Sequence, residues 1–357
     1  MKKIHLVLFG IGKVGSTFIN QVIAAKEVLK QQNLTIEIPV IVNSTTVFFK
    51  DEGVDKNWEA NFVDFGIPYQ IDHIIQHIRN KKWENVVVVD ATASSDFVEN
   101  YTKFVESGFH LIAANKVANT LPYDFYQHLR EVLAINKKHF LYETNVGAGL
   151  PVVDTIQKLH YSGEKITKIR GVFSGSLSYI FNTFSEENIP FSQVVAQAEK
   201  KGFTEPDPRI DLSGTDVARK LLILARELQL SYNLEDVKVK NLVPNHLAIA
   251  NSVTTFQEHK TDLDEEFRSL KQKLNPEQVL RYIGELDVEH KVLEVKLIKE
   301  NKENPLGALK GADSLFEIYA ESYGDQPIVI QGAGAGAAVT ARGILGDVLK
   351  LAERISC

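Results

Sequence analysis

Cysteine is nearly absent. The 357-residue chain has one, Cys357, at its last position. A disulfide within the chain is impossible, and a reducing compartment, the cytoplasm, is expected. The same scarcity excludes a thiolate nucleophile on a rigid element and a cysteine-ligated zinc. Charge of one sign is also missing in bulk: the net charge is −6 and no long run of one sign occurs. A nucleic-acid face would need a basic patch, so no nucleic-acid partner is expected. No stretch approaches the ~20 apolar residues that span a bilayer, so no membrane role is expected either. The opening MKKIHLVLFGIG carries two lysines and an apolar run, but Gly10 breaks that run too early for a signal segment. It reads as a strand.

What is present is ordinary globular composition, 44% apolar and 24% charged, in a chain long enough for about two domains. The first third alternates short β-like runs with longer amphipathic ones: Ile4–Gly10, a helix over 14–30, Thr35–Asn43, Val86–Asp90, a helix over 96–107, Phe109–Asn115, a helix over 123–133 and His139–Thr144. VVVVD is the continuous apolar run of a parallel strand buried on both faces, and strand–helix alternation with short links implies right-handed crossovers. Pro39 suits an edge or irregular position in its strand. The polar stretch 50–61 reads as a loop. From Pro151 the pattern changes to helices over 151–160, 177–185 and 192–201 and to period-two runs such as VLRYIGEL and KVLEVKLI. The expected architecture is α/β: a doubly wound, Rossmann-type parallel sheet over 1–145, an α+β domain over 146–325, and a C-terminal segment, 326–357, whose helix returns to the first domain.

FGIGKVGS places Gly10, Gly12 and Gly15 at G-x-G-x-x-G spacing between a strand and a helix. Gly10 permits a tight turn, Gly12 admits a pyrophosphate to the backbone, and Gly15 lets helix and strand pack closely. The helix-start N–H groups then face the anion. The second strand ends Val42-Asn43-Ser44-Thr45, without the acid that bonds a ribose 2′-hydroxyl. NADP, or use of both NADP and NAD, is favoured.

Three other stretches carry charge or exposed carbonyls. Lys116 in AANKVANT stands just past a strand end, where open α/β sheets bind ligands; a solvated loop lysine is the alternative. KGFTEPDPRIDLSGTDVARK, Lys201–Lys220, crowds Glu205, Asp207, Asp211 and Asp216 against Arg209, Arg219 and Lys220. Ser213 or Thr215 caps a helix there, and Asp216 and Lys220 then share one face, four residues apart. The helix continues as LLILARELQL, which argues for burial and so for a lysine fit for proton transfer; a surface ion pair is the alternative. Pro206 holds Glu205 extended. Finally, ETNVGAGLP, Glu143–Pro151, offers carbonyl oxygens of a kind that suits a hard cation, although on its own it reads as an interdomain turn.

In this order, FGIGKVGS, AANKVANT, YETNVGAGLP, GVFSGSLSYIFN, KGFTEPDPRIDLSGTDVARK and GAGAGAAVTARG resemble homoserine dehydrogenase over nearly the whole chain. The likeness is to the dehydrogenase half of the bifunctional aspartokinase–homoserine dehydrogenases, without the kinase. The resemblance implies NAD(P)-dependent interconversion of L-homoserine and L-aspartate 4-semialdehyde in threonine and methionine biosynthesis. It makes Lys220 the acid/base at the substrate oxygen and Lys116 an assistant at the reacting centre. Glu205 and Asp216 would hold the homoserine amino group, with Asp211 supporting and Gly202 allowing close approach. Gly10, Ile11, Gly12, Val14, Gly15, Thr92, Lys116 and Gly336 would line the cofactor. Glu143 and the carbonyls of Val146, Ala148 and Leu150 would hold a sodium ion, and the family's homodimer forms through the second domain's sheet. Two departures are visible: Val117 replaces a second lysine, and Ala93 replaces a common serine, which turns attention to Ser94. Aspartate-semialdehyde dehydrogenase needs a catalytic cysteine, for which Cys357 is ill placed. A nucleotide-sensing module would need no proton relay.

Overall fold

KKIHLVLF forms strand β1 (Lys2–Phe9), and its last six residues are buried. Helix α1 (Lys13–Gln31) follows the glycine turn and leads to β2 (Leu34–Val42), which pairs parallel with β1. The computed structural model describes residues 2–248 and 252–355; Cys357 lies outside them. Pro39 sits in this interior strand where the β1–β2 register slips between His5 and Val7, a bulge at which the missing N–H breaks no ladder bond. A short turn leads to β3 (Thr46–Phe49), then α2 (Trp58–Phe65), β4 (Ile67–Pro68) and α3 (Ile71–Lys81). The expected loop over 50–61 thus ends in a helix that buries Trp58 and Phe62. Then come β5 (Val86–Asp90), α4 (Ser95–Val98), α5 (Tyr101–Glu106), β6 (His110–Ala113), α6 (Tyr123–Ile135) and β7 (Phe140–Leu141). The single helix expected over 96–107 is two. The strand expected over His139–Thr144 is only two residues long, because Glu143–Asn145 curls into a 3-10 turn.

The seven strands run in the order β4-β3-β2-β1-β5-β6-β7, parallel from β2 to β7 and antiparallel at β3 and β4. Alternate β1 side chains enter two separate cores. Ile4, Leu6 and Leu8 meet Phe18 and Ile19 of α1 on one face. Val7 and Phe9 meet Ile74, Tyr101, Phe104 and Leu129 on the other. A sheet buried on both faces is what doubly wound means physically.

The second unit, Leu150–Ala335, begins with α7 (Val152–Tyr161) and β8 (Ile166–Val172). Helices α8 (Gly175–Glu186), α9 (Phe191–Lys200), α10 (Pro208–Leu212) and α11 (Thr215–Glu227) follow. Next are β9 (Lys238–Val239), α12 (Val253–His259), α13 (Asp264–Gln272), β10 (Gln278–Asp287), β11 (Val292–Asn301), α14 (Pro305–Ala308), β12 (Ser314–Ala320) and β13 (Ile328–Gly332). Its six strands order as β13-β12-β8-β10-β11-β9. The last helix, α15 (Ala337–Arg354), belongs to the first unit, where Ile344, Leu345, Val348 and Leu351 join the core beneath α1.

Candidate functional site

In the first unit the glycine turn lies between β1 and β5, where strand order reverses and open α/β sheets hold ligands at their carboxyl ends. Each glycine answers a different steric demand. Gly10 has φ +90°, and a Cβ there would stand 2.7 Å from the Ala91 carbonyl oxygen. A Cβ on Gly15 would stand 1.8 Å from the Gly10 carbonyl oxygen, so only glycine lets α1 approach the strand end. Gly12 is the reverse: nothing lies within 4 Å of its Cβ direction, and the residue is exposed at the helix N-cap. Ile11 and Val14 flank it, partly buried. The first turn of α1 carries no acid and begins with Lys13, so the N–H groups and the field there both favour an anion. These residues fit a pyrophosphate.

After β2, the Asn43 side-chain oxygen accepts the N–H groups of Thr45 (2.9 Å) and Thr46 (2.7 Å) and closes the turn to β3. After β5, Thr92 Oγ1 accepts the Ser94 N–H at 3.2 Å, and Ser94 Oγ in turn caps α4 through Phe97 N–H. After β6, Lys116 stands at the start of a 3-10 turn over Val117–Asn119 and is half-buried. Gly336, with φ +121°, is the N-cap of α15. In the 3-10 turn after β7, Glu143 donates its N–H to Asp347 of α15 at 3.0 Å. Burial and the nearby Glu143 charge push the Asp347 carboxyl up to about 7. Gly147 (φ +79°) and Ala148 (φ +54°) are both left-handed, and Val146 and Ala148 are buried. One carboxylate with backbone carbonyls is a hard-oxygen donor set that fits sodium. Leu150, the remaining expected ligand, is the first residue of the other unit, and its carbonyl accepts Val152 N–H at 2.9 Å. Among the described residues, no group of three His, Cys, Asp or Glu side chains forms a metal cluster.

In the second unit the charged segment resolves into two groups. Asp207 and Arg209 are structural. Arg209 is buried, grips Asp207 at 2.7 Å, and donates to the carbonyls of Leu247 and Ala248. Two further contacts involve the remaining acids, one of Asp216 with Lys220 and one of Asp211 with Glu205. Lys220 Nζ lies 2.7 Å from Asp216 and donates to the Phe173 carbonyl at 2.8 Å, with the residue only 8% exposed while Asp216 is half-exposed. Asp211 accepts Ser176 Oγ–H at 2.7 Å and Glu205 N–H at 2.9 Å. Burial holds its carboxyl above the usual range, with the Glu205 and Asp216 charges adding to the effect. Glu205 is exposed, beside Gly202 at φ +72°. The expected serine or threonine cap is absent: Gly214 (φ +75°) is the N-cap of α11, and Ser213 and Thr215 bond each other at 2.9 Å. A Cβ at 214 would meet the Tyr282 hydroxyl at 2.1 Å, which is why glycine stands there. Phe173, just after β8, and Ser176 of α8 reach Lys220 and Asp211 from elements distant in sequence, so spacing within the charged segment does not reveal them. The SGS at Ser174–Ser176, a capped helix start, was the available signal: Ser174 caps α8 and contacts Ser176 at 2.8 Å.

Two family models match, "Homoserine dehydrogenase" over residues 151–349 and "Homoserine dehydrogenase, NAD binding domain" over residues 10–143. The chain belongs to the homoserine dehydrogenase family. A homoserine dehydrogenase of Paracoccidioides brasiliensis is 35% identical over 370 residues, covering 99% of both chains. The bifunctional aspartokinase/homoserine dehydrogenase of Buchnera aphidicola is 40% identical over 98% of this chain but only 43% of its own length. The chain therefore spans less than half of such bifunctional relatives. Among solved structures, a Candida auris protein of unknown function superposes with TM-score 0.91 at 34% identity, covering 99% of each chain. A hyperthermophilic archaeal homoserine dehydrogenase, solved in complex with NADPH, has TM-score 0.73 at 19% identity over 99% of each chain and shares the fold. No helix among the described residues is long and apolar enough to cross a membrane.

Proposed function

We propose that this family member interconverts L-homoserine and L-aspartate 4-semialdehyde with NAD(P), as a step of threonine and methionine biosynthesis in the cytoplasm. The observation that carries the reading is Lys220, buried on α11 between Asp216 and the Phe173 carbonyl, with Glu205 and Asp211 on the same segment. In the oxidative direction Lys220 takes the hydroxyl proton as the carbinol carbon loses hydride; in reverse its ammonium returns that proton to the aldehyde oxygen. When bound, the nicotinamide ring of the cofactor accepts or supplies the hydride. Glu205 and Asp216 hold the substrate ammonium. Asp211, fixed by Ser176 and by Glu205 N–H, holds the segment at Glu205 in place, and Gly202 keeps the approach clear. Lys116 assists at the reacting centre. Gly10, Ile11, Gly12, Val14, Gly15, Thr92, Ser94 and Gly336 hold the dinucleotide.

The missing acid after β2 supports NADP, since no carboxylate there repels a 2′-phosphate. Glu143 with the Val146, Ala148 and Leu150 carbonyls would hold sodium. Two copies pair through the second unit's sheet. The dinucleotide-binding role is assigned to 1–145, substrate binding and dimerisation to 146–325, and closure of the first domain to 326–357 through α15, since β13 in that stretch pairs in the second unit's sheet. The test is absorbance of reduced cofactor with L-homoserine and NAD+ or NADP+ in parallel. Reduction with faster turnover on NADP+ is expected. No reduction with either, and no oxidation with aspartate semialdehyde, would overturn the reading.

A further inference from the structure

The end of β5 carries a carboxylate that the chemistry above leaves unused. Asp90 is 1% exposed, yet its two oxygens take at least three donors. Oδ1 accepts Thr92 N–H at 2.7 Å; Oδ2 accepts Tyr101 O–H at 2.6 Å and Asn115 Nδ2–H at 3.0 Å. Asn115, itself buried, extends the network in both directions. Its Nδ2 also donates to the Ser94 carbonyl at 2.9 Å, and its Oδ1 accepts Val117 N–H at 3.0 Å. One carboxylate thus ties the segment after β5, Thr92–Ser94, to the segment after β6 that carries Lys116. These two segments leave neighbouring parallel strands at their carboxyl ends.

Packing alone does not call for a carboxylate here. A buried charge costs desolvation energy that an apolar residue would avoid, so such a group persists where its geometry matters. Burial raises the Asp90 carboxyl from its usual range, while the Tyr101, Thr92 and Asn115 hydrogen bonds oppose that rise. Those donors come from three separate pieces of chain, and two of them are the pieces assigned above to the dinucleotide and to the reacting centre.

We propose that Asp90, acting through Asn115 and Thr92, is a positioning residue that sets Lys116 and the Thr92–Ser94 segment relative to the bound nicotinamide. The inference rests on the dehydrogenase reading for the roles of those residues. Asn at position 90 would keep shape and an acceptor for Thr92 N–H. Its amide, however, would face the Asn115 amide, donor against donor, and would release the 115–117 segment.

The test compares Asp90→Asn, Asn115→Ala, the double variant and Tyr101→Phe in the full-length protein. Readouts are kcat, KM for homoserine, NADPH affinity by its fluorescence, and thermal unfolding. Asp90→Asn is expected to unfold near the wild-type temperature while kcat falls about tenfold or more, as small misplacements of reacting groups do. NADPH affinity should weaken, and homoserine KM should stay within about twofold, because its acids lie on another segment. Asn115→Ala should reproduce this, and the double variant should be no worse than the poorer single, since the two act in series. Tyr101→Phe, which leaves Asn115 and Thr92 in place, should keep kcat. Unchanged kcat and NADPH affinity in Asp90→Asn would overturn the proposal. So would a loss of activity that only tracks the loss of folded protein, with Asn115→Ala fully active. Should the wild type not turn over homoserine, the dehydrogenase reading fails separately. NADPH affinity then decides alone: equal in wild type and both variants overturns the positioning role, and weaker in both supports it.

Discussion

The glycine turn of the first unit and the acid-rich segment of the second, the two sites proposed for small charged groups, are built of opposite materials. At Gly10–Gly15 the main chain itself faces the ligand, and side chains are excluded: a Cβ at 15 would collide with the Gly10 carbonyl, and one at 12 would fill the open cradle. At Gly202–Lys220 the groups proposed to face the ligand are all side chains, held by prolines, by the Asp207–Arg209 pair and by partners just after β8 and on α8. A backbone site is local and tolerates little. A side-chain site is assembled from distant pieces and fails one function at a time.

Lys220→Ala tests that contrast most severely. Turnover should fall about a thousandfold, within the range of a lost acid/base group, with NADPH affinity unchanged by fluorescence titration. A variant that keeps its turnover would remove Lys220 from the chemistry. Within the glycine turn, two alanines should separate. Gly15→Ala should cost about 1–3 kcal/mol of stability, the scale of overpacking, as well as cofactor binding. Gly12→Ala, with open space at its Cβ, should unfold like wild type and lose only cofactor affinity; equal melting temperatures for the two would break the steric argument.

Mild acid should next test His110 in the first unit. His110 is 5% exposed, and burial lowers its pKa to about 4; His5 and His139 are lowered by the same cause. His110 Nδ1 accepts the His139 N–H, a bond that protonation would break. For this histidine the unfolded chain binds a proton that the folded one refuses, so its contribution to stability falls as pH drops from about 6.5 towards 4, while Asp347, raised to about 7 in the same unit, acts in the opposite sense. For His110 that is about 2 kcal/mol at pH 5, by 1.36 kcal/mol per pH unit. Both tryptophans, Trp58 and Trp83, lie in the first unit, so urea unfolding followed by their fluorescence at pH 7 and pH 5 reads this half directly. Relative to wild type, His110→Gln should gain about 2 kcal/mol at pH 5 over pH 7, and no such gain would remove His110 from the balance. The smallest effect is expected from Ser176→Ala, which removes one hydrogen bond from Asp211. Homoserine KM should rise about threefold, or about 0.7 kcal/mol, with kcat and NADPH affinity untouched.

The same contrast explains what was legible in the sequence. The parallel sheet, the glycine turn and the Asp216–Lys220 pair are set by residues close together in the chain, so spacing reveals them. The split of the helix over 96–107 was not legible, because Ser94 and Asn100 each start a turn inside one apolar pattern. Nor was the cap of α11, which is decided by the Tyr282 hydroxyl pressing on Gly214 from another strand. The Phe173 carbonyl, Ser176 and the Asp90–Asn115 tie share that trait: each partner is contributed by a distant element, and periodicity carries no trace of it.

The place of α15 has a consequence for biosynthesis. Its apolar face completes the core beneath α1, and Lys2 on β1 donates to its last turn at the Ala352 and Ile355 carbonyls. A ribosome therefore delivers the final wall of the first unit only after the whole of Leu150–Ala335 has emerged. Nascent chains arrested before residue 337 should expose the Phe18–Ile19 side of the sheet to chaperones, and the ability to retain a dinucleotide should be acquired late, as the final helix docks.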